Sequence, residues 1–180
     1  MMKNTTIKWK NIRENGLVYR ERDNLMRVYE TKDYELVAKL NKPVQELHAK
    51  LFPDLFFGYD EAKTKEFFKA IINKTDYFFL VIEDQERPMG YAWIEVKDRQ
   101  ENASKKGSRS IYVHQISVEG AMRHMGYGSR LMDEVEELAK KYKADRVELD
   151  YWVGNEGAEA FYKKRQFEPF RRHVYKTIST

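Results

Sequence analysis

Val118-Glu119-Gly120-Ala121-Met122-Arg123-His124-Met125-Gly126-Tyr127-Gly128-Ser129-Arg130-Leu131 decides how this chain folds. Upstream, Ser110 to Val118 carries apolar residues on both faces (Ile111, Val113, Ile116, Val118), the pattern of a strand buried inside a sheet. Downstream, Leu131, Val135, Leu138 and Tyr142 recur at helical spacing as far as Lys143. A buried strand therefore runs into a short loop bearing Arg123, and a helix opens on a pair of glycines. The first turn of a helix leaves backbone N–H groups without partners, with the positive end of the macrodipole behind them. Phosphate oxygens can take those donors if no side chain stands in the way. Gly126 and Gly128 clear the approach and can adopt backbone angles closed to other residues, and Arg123 and Arg130 add charge. The corner has the chemistry of a diphosphate cradle.

Outward from the corner, the period of the chain changes twice. Tyr77–Ile82 and Pro88–Val96 read as a hairpin of strands around a polar turn. Before them, Leu36, Val37, Leu40, Val44 and Leu47 give a helix that Thr31 caps and Pro43 kinks or breaks near Asn41. Asp60–Asn73 gives a second helix, after an aromatic loop from Leu51 to Tyr59. Lys97–Ser110 reads as a charged loop. After the corner come a strand (Arg146–Val153), a helix (Glu156–Arg165) and a final strand (Phe167–Ile178). The expected class is mixed α/β: one mostly antiparallel sheet with helices on both faces. At 180 residues the chain has room for one domain, assigned to 26–180, with 1–25 as an extension or edge strand.

Thirty-three Lys and Arg against 29 Asp and Glu leave a net charge of +4. That suits a small anionic ligand and falls short of a nucleic-acid-binding face, so Lys105, Lys106 and Arg109 read as solvated. The absence of cysteine excludes disulfides, thiolate metal ligation and a cysteine nucleophile, and no metal is expected. No apolar run approaches the ~20 residues of a membrane span, and MMKNTTIKWKNIREN lacks the apolar core of an export signal. A cytoplasmic protein without membrane or nucleic-acid partners is expected.

A second motif follows the strand after Arg146: Asn155-Glu-Gly-Ala158-Glu-Ala-Phe161-Tyr162, running on to Gln166-Phe167. With Val118, Arg123, Gly126, Gly128 and Leu131 one helix and one strand upstream, it resembles the GNAT superfamily of acetyl-CoA-dependent N-acetyltransferases. The resemblance spans Tyr77 to about Ile178 well and Arg27 to Asn73 loosely. It implies the GNAT-like acyl-CoA N-acyltransferase fold, whose sheet is splayed into a V. One departure stands out: the family usually has Gly before the Phe that follows the second helix, at a turn of positive φ, and this chain has Gln166. Keeping that turn costs about 1–3 kcal/mol.

The resemblance also implies roles. Acetyl-CoA becomes the co-substrate, and a small-molecule or peptide amine the acceptor. Main-chain groups of Ile116, Ser117 and Val118 would meet the pantetheine arm, and the loop Arg123, His124, Met125, Gly126, Tyr127, Gly128, Ser129 the diphosphate. Asn155, Ala158 and Phe161 complete the cofactor side. Tyr162 is the candidate general acid, since a phenol keeps its proton at neutral pH while a departing thiolate accepts one. For the base, Glu95, His114, Glu148 and Asp150 are all candidates, with His114 read by strand alternation as sharing a face with Tyr112, Ile116 and Val118. His48, Asp54 and Tyr59 are candidates for the acceptor side. A monomer or homodimer is expected. A non-catalytic CoA-binding module of the same fold is the alternative function. A Rossmann dinucleotide site is disfavoured because the first Gly of G-x-G-x-x-G is missing.

Overall fold

The computed structural model describes residues 17–18 and 26–178. Apart from the short strand β1 (Leu17–Val18), the N-terminal extension or edge strand expected over 1–25 lies outside the described residues. The chain divides into two compact units, Met1–Asp150 and Tyr151–Thr180.

In the first unit β2 (Arg27–Glu30) is followed by α1 (Tyr34–Leu51), α2 (Glu61–Ile71), β3 (Tyr77–Asp84), β4 (Arg87–Arg99), β5 (Ser108–Val118), a 3-10 turn at Gly120–Met122, α3 (Tyr127–Lys141) and β6 (Arg146–Leu149). The described strands form one sheet in the order β1 to β6. All its pairs are antiparallel except β5 with β6, which α3 joins as the crossover a parallel pair requires. β3 turns into β4 through Gln85 and Glu86, at φ 49° and 61°, the left-handed pair that a two-residue hairpin needs. One face of the sheet (Phe79, Val81, Tyr91, Trp93) packs with Val37, Ala38, Phe68, Ile71 and Ile72 of α1 and α2 and their flank. On the other face α3 buries Leu131, Met132 and Val135, and its terminal Tyr142 packs on Phe78 at 5.4 Å. The expected sheet with a helical layer on each face is what forms.

Several boundaries differ from the sequence expectations. Asp33, rather than Thr31, caps α1: its carboxylate accepts from the amides of Glu35 and Leu36, both at 3.0 Å, while the Thr31 hydroxyl accepts the Asp33 amide. Helix α1 runs through Pro43 without a break. An interior proline costs ~3 kcal/mol, and burial of the apolar Val37 and Ala38 along that helix works against it. One turn back, the Tyr59 hydroxyl donates to the Ala38 carbonyl at 3.0 Å. Only the ends of the charged stretch Lys97–Ser110 are strand, since β4 reaches Arg99 and β5 starts at Ser108, and 100–107 form the loop between them. Asp98 and Arg109 pair across the two in a two-pronged bridge of 2.6 and 2.9 Å. β6 stops at Leu149, short of the expected Val153.

In the second unit Asn155 caps α4 (Glu156–Lys164), accepting from the Ala158 amide at 3.1 Å. The helix closes at Gln166, which takes φ 63°. Its amide donates to the Lys163 carbonyl and the Phe167 amide to the Tyr162 carbonyl, both at 3.0 Å, a paired C-terminal closure usually built on glycine. The turn expected of the family is thus kept with a glutamine. The expected final strand is absent: residues 167–178 have neither helix nor strand. An alternating apolar pattern supplies no ladder partner, and Phe170, Val174, Tyr175 and Ile178 are exposed. No helix among the described residues is long and apolar enough to cross a membrane.

Candidate functional site

β5 carries the site. Its ladder to β6 covers only Ser110–Val113, opposite Arg146–Leu149. From Gln115 to Val118 it keeps β4 on one side and has no second neighbour among the described strands. Backbone donors and acceptors along such an edge need partners, and this is the main chain of Ile116, Ser117 and Val118. At Gly90 the approach of β4 is so close that a Cβ would lie 2.3 Å from the Ser117 carbonyl oxygen; only glycine fits there.

Beyond Val118, the Glu119 amide continues the pairing to the Met89 carbonyl at 3.0 Å, and the chain then leaves the sheet. Arg123, His124 and Met125 are exposed. His124 takes φ 66° and Gly126 φ 93°. Gly126 is the N-cap of α3, and no side chain caps that helix. Asp33, Asp60 and Asn155 serve that purpose at α1, α2 and α4. A Cβ at Gly126 would meet nothing within 4 Å. The corner is not filled by side chains, and its helix dipole faces outward uncompensated. Tyr127 differs from its neighbours. Its side chain is buried and donates to Asp84 at 2.7 Å. Burial and that carboxylate push its phenol up to about 12. Its ring is committed to anchoring α3 on the β3–β4 hairpin. The other Asp84 oxygen is buried without a hydrogen-bond partner.

Two of the candidate bases, Glu95 and His114, meet on the α1/α2 face of the sheet. The β4–β5 register shifts between Trp93 and Ile94: Trp93 lies opposite Gln115 and Ile94 opposite Val113, so His114 is the extra residue of a bulge. The bulge reverses the parity of the strand. Tyr112, opposite Glu95, and Gln115, opposite Trp93, share a face, and Ile116 and Val118 turn to the other one. The expectation that His114 shares a face with Ile116 and Val118 is therefore corrected. His114 stacks on Trp93 at 4.2 Å and its Nε2 meets a Glu95 oxygen at 2.6 Å. Because Glu95 also pairs with Lys97 at 3.3 Å, its carboxylate accepts and the imidazole donates from Nε2. Burial pushes His114 below its ordinary 6.5, outweighing the opposing pull of Glu95. A neutral imidazole held in one tautomer by a carboxylate is suited to receive a proton through its other nitrogen. The Trp93 indole N–H beside it is buried without a partner.

The other two candidates are engaged elsewhere. Glu148 is gripped by Arg99 at 2.9 and 2.7 Å and by Arg146 at 2.7 Å. The Arg99 hydrogen bonds hold its carboxyl below the usual carboxylate range, against the opposing effect of burial. Asp150 accepts from the Tyr112 hydroxyl. Of the residues proposed for an acceptor pocket, His48 packs against Phe56 at 5.0 Å and Tyr59 is tied to α1. Both brace the aromatic loop against α1, as does the Gln45 side chain, which donates to the Phe57 carbonyl at 2.8 Å. Asp54 is exposed on that loop.

Within the second unit, Tyr162 is buried, with its ring 5.2 Å from Phe161, 5.6 Å from Phe167 and 5.8 Å from Tyr151. The Asn155 side-chain oxygen and the Ala158 amide are engaged with each other in the cap. Sequence reasoning missed Gln115, Asn41, Tyr91 and Asp84. The one available hint was Gln115, a long polar side chain next to His114 in the middle of a strand read as buried.

Known proteins share this architecture. A tetramutant of the BH1408 protein from Bacillus halodurans superimposes with a TM-score of 0.79 over 84% of this chain and 99% of its own, at 22% identity. A putative acetyl transferase from Pyrococcus furiosus gives 0.66 over 85% and 99%, at 21% identity. The aminoglycoside N-acetyltransferase AAC(6')-Iy, in complex with CoA, gives 0.64 over 90% and 100%, at 14% identity. In sequence, an uncharacterized N-acetyltransferase of Methanocaldococcus jannaschii is 28% identical over 163 residues, 83% of this chain and 68% of the relative. The model of the acetyltransferase (GNAT) family matches residues 41–167, and the chain belongs to that family.

Proposed function

We propose that this protein transfers the acetyl group of acetyl-CoA to a primary amine by direct attack, with both substrates bound together. One observation carries the proposal: α3 starts uncapped and bare at Gly126, directly after the stretch of β5 that has lost its strand neighbour. Acetyl-CoA supplies an activated thioester and a diphosphate. The diphosphate fits the amides of Gly126, Tyr127, Gly128 and Ser129, with Arg123, His124 and Met125 leading into them. Main-chain groups of Ile116, Ser117 and Val118 suit the amides of the pantetheine arm, and Asn155, Ala158 and Phe161 are the cofactor-binding residues of the second motif.

The amine arrives protonated, with a pKa of ~10.4 for a lysine-like group, and must lose a proton before it attacks. His114, neutral and oriented by Glu95, receives that proton directly or through water. As the C–N bond forms and the C–S bond breaks, a main-chain amide near Val118 holds the negative charge on the carbonyl oxygen. Tyr162 donates its proton to the thiolate, whose pKa of about 8.5 lies below that of a phenol; the second proton, shed by the acylated nitrogen, passes to solvent, from which the phenol is reprotonated.

Calorimetry with CoA and a thiol-release assay with acetyl-CoA against a panel of primary amines test this. No heat with CoA at high micromolar concentration refutes it. Heat without thiol release across the panel points instead to a CoA-binding module. Tyr162→Phe is expected to lower kcat by about 100-fold or more with CoA affinity unchanged; equal turnover removes Tyr162 from the acid role.

A further inference from the structure

The bulge at His114 sets Gln115 opposite Trp93, on the face that carries Glu95 and His114, just beyond Val113, where the β5–β6 ladder ends. The Gln115 side-chain oxygen accepts from Asn41 Nδ2 at 3.0 Å and from the Tyr91 hydroxyl at 2.5 Å, and Asn41 Nδ2 also reaches Tyr91 at 2.9 Å. Asn41 sits at 3% exposure in the middle of α1, and Tyr91 is fully buried in the core. Burial drives the Tyr91 phenol well above its ordinary range, so it remains a donor.

Two donors on one oxygen fix the plane of the amide. The Nε2 group, at the opposite end of that plane, has no partner among the described residues, and Gln115 is only half-buried. An amide whose carbonyl is already polarised by two donors is a stronger donor at its nitrogen, and its rotamer entropy is spent before any ligand arrives. Burying an asparagine and a tyrosine hydroxyl costs free energy unless each is paired. Here both are paired to a single end, which holds one half-exposed side chain in place.

We propose that Gln115 is a specificity-determining residue of the acceptor site, its Nε2 donating to an ether, hydroxyl or carbonyl oxygen that the acceptor carries close to its amine. Asn41 and Tyr91 are positioning residues that act through it. The site then favours oxygen-bearing amines over bare alkylamines. This rests on the acetyl-transfer function proposed above, and the test separates the two.

The probes are 2-methoxyethylamine, whose oxygen can only accept, and n-butylamine, which has the same shape without it. In 15N-labelled protein the Gln115 side-chain amide is identified as the signal pair lost in Gln115→Glu. It is expected to shift on saturation with 2-methoxyethylamine and to stay in place with n-butylamine. Equal shifts with both amines, or none with either, overturn the proposal without any need for turnover. In the thiol-release assay, the ratio of kcat/KM for the two amines is expected to fall about 3- to 10-fold in Gln115→Glu. That variant keeps an oxygen for Asn41 and Tyr91 and so keeps the fold, and a thermal melt checks this. Tyr91→Phe is expected to lower the ratio part of the way. An unchanged ratio in Gln115→Glu overturns the proposal. Thiol release from no amine, with the resonance shift present, sinks the acetyl-transfer reading alone.

Discussion

Replacing Gly126 by alanine tests separately what the corner does for the fold and what it does for a ligand. Gly126 takes φ 93°, and an added methyl would meet nothing within 4 Å. The folded state therefore loses nothing to collision, and the cost is backbone strain of about 1–3 kcal/mol. The stiffer unfolded chain returns ~0.4–1 kcal/mol of this. The net loss is about 1–2 kcal/mol, and each kcal/mol lowers Tm by roughly 2–4 °C in a chain of this size. The space the methyl enters is the space a diphosphate oxygen needs. Losing one charge-assisted hydrogen bond from the first-turn amides costs ~1.5–3 kcal/mol, or about 10- to 150-fold in Kd. Calorimetry on the folded variant is thus expected to show CoA binding weakened at least about 10-fold, with pantetheine, which lacks the diphosphate, bound as by the parent. Gly58→Ala is the control: its methyl also enters open space, at ordinary φ, so the stiffer unfolded chain adds ~0.4–1 kcal/mol, Tm does not fall, and CoA affinity stays put. An unchanged CoA affinity in folded Gly126→Ala, or an equal loss for pantetheine, would refute the placement of the diphosphate at this corner.

Tyr127→Phe removes the hydroxyl that Asp84 accepts and leaves the carboxylate buried without a partner; an expected loss of about 1–3 kcal/mol is read by denaturant unfolding, and a loss near zero would show the strut to be dispensable. His114 has its folded pKa pushed below 6.5 by burial, so the unfolded chain binds the extra proton first. Stability from this group is complete above pH 6.5 and declines as pH falls toward the folded value. The acid limb of kcat/KM is expected below pH 6.5, and Glu95→Gln, by removing the group that favours the cation, moves it lower still; an acid limb that does not move rules out the pair as the base. Glu148 has its carboxyl held low chiefly by the Arg99 hydrogen bonds. Its contribution is present above about pH 4.5 and is lost below it, so Glu148→Gln is expected to lower Tm at pH 7 without shifting the limb set by His114.

The backbone geometry of the segments proposed for the cofactor was legible because its signals are local. A glycine pair at a strand-to-helix junction, an asparagine three residues before an amide it can cap, and a chain reversal after Arg165 each involve only a few consecutive residues. Gln166 shows how far that locality goes: even with the usual glycine replaced, the geometry the motif implied is kept, at φ 63°. Pro43 shows the limit, since its propensity argues for a break and the packing of α1 overrides it. The Phe167–Ile178 segment shows the same limit from the other side, an alternating pattern that finds no strand to pair with.

Residue order alone determined the succession of elements from α1 to α4, the bare helix start at Gly126 and the family, since each depends on backbone preferences that act over a turn or two of chain. Only the tertiary structure decided that a bulge places His114 against Glu95, turns Gln115 to the same face and commits Glu148 to Arg99 and Arg146. Those outcomes depend on which strand lies alongside and in what register, and a shift of one residue sends every later side chain to the opposite face.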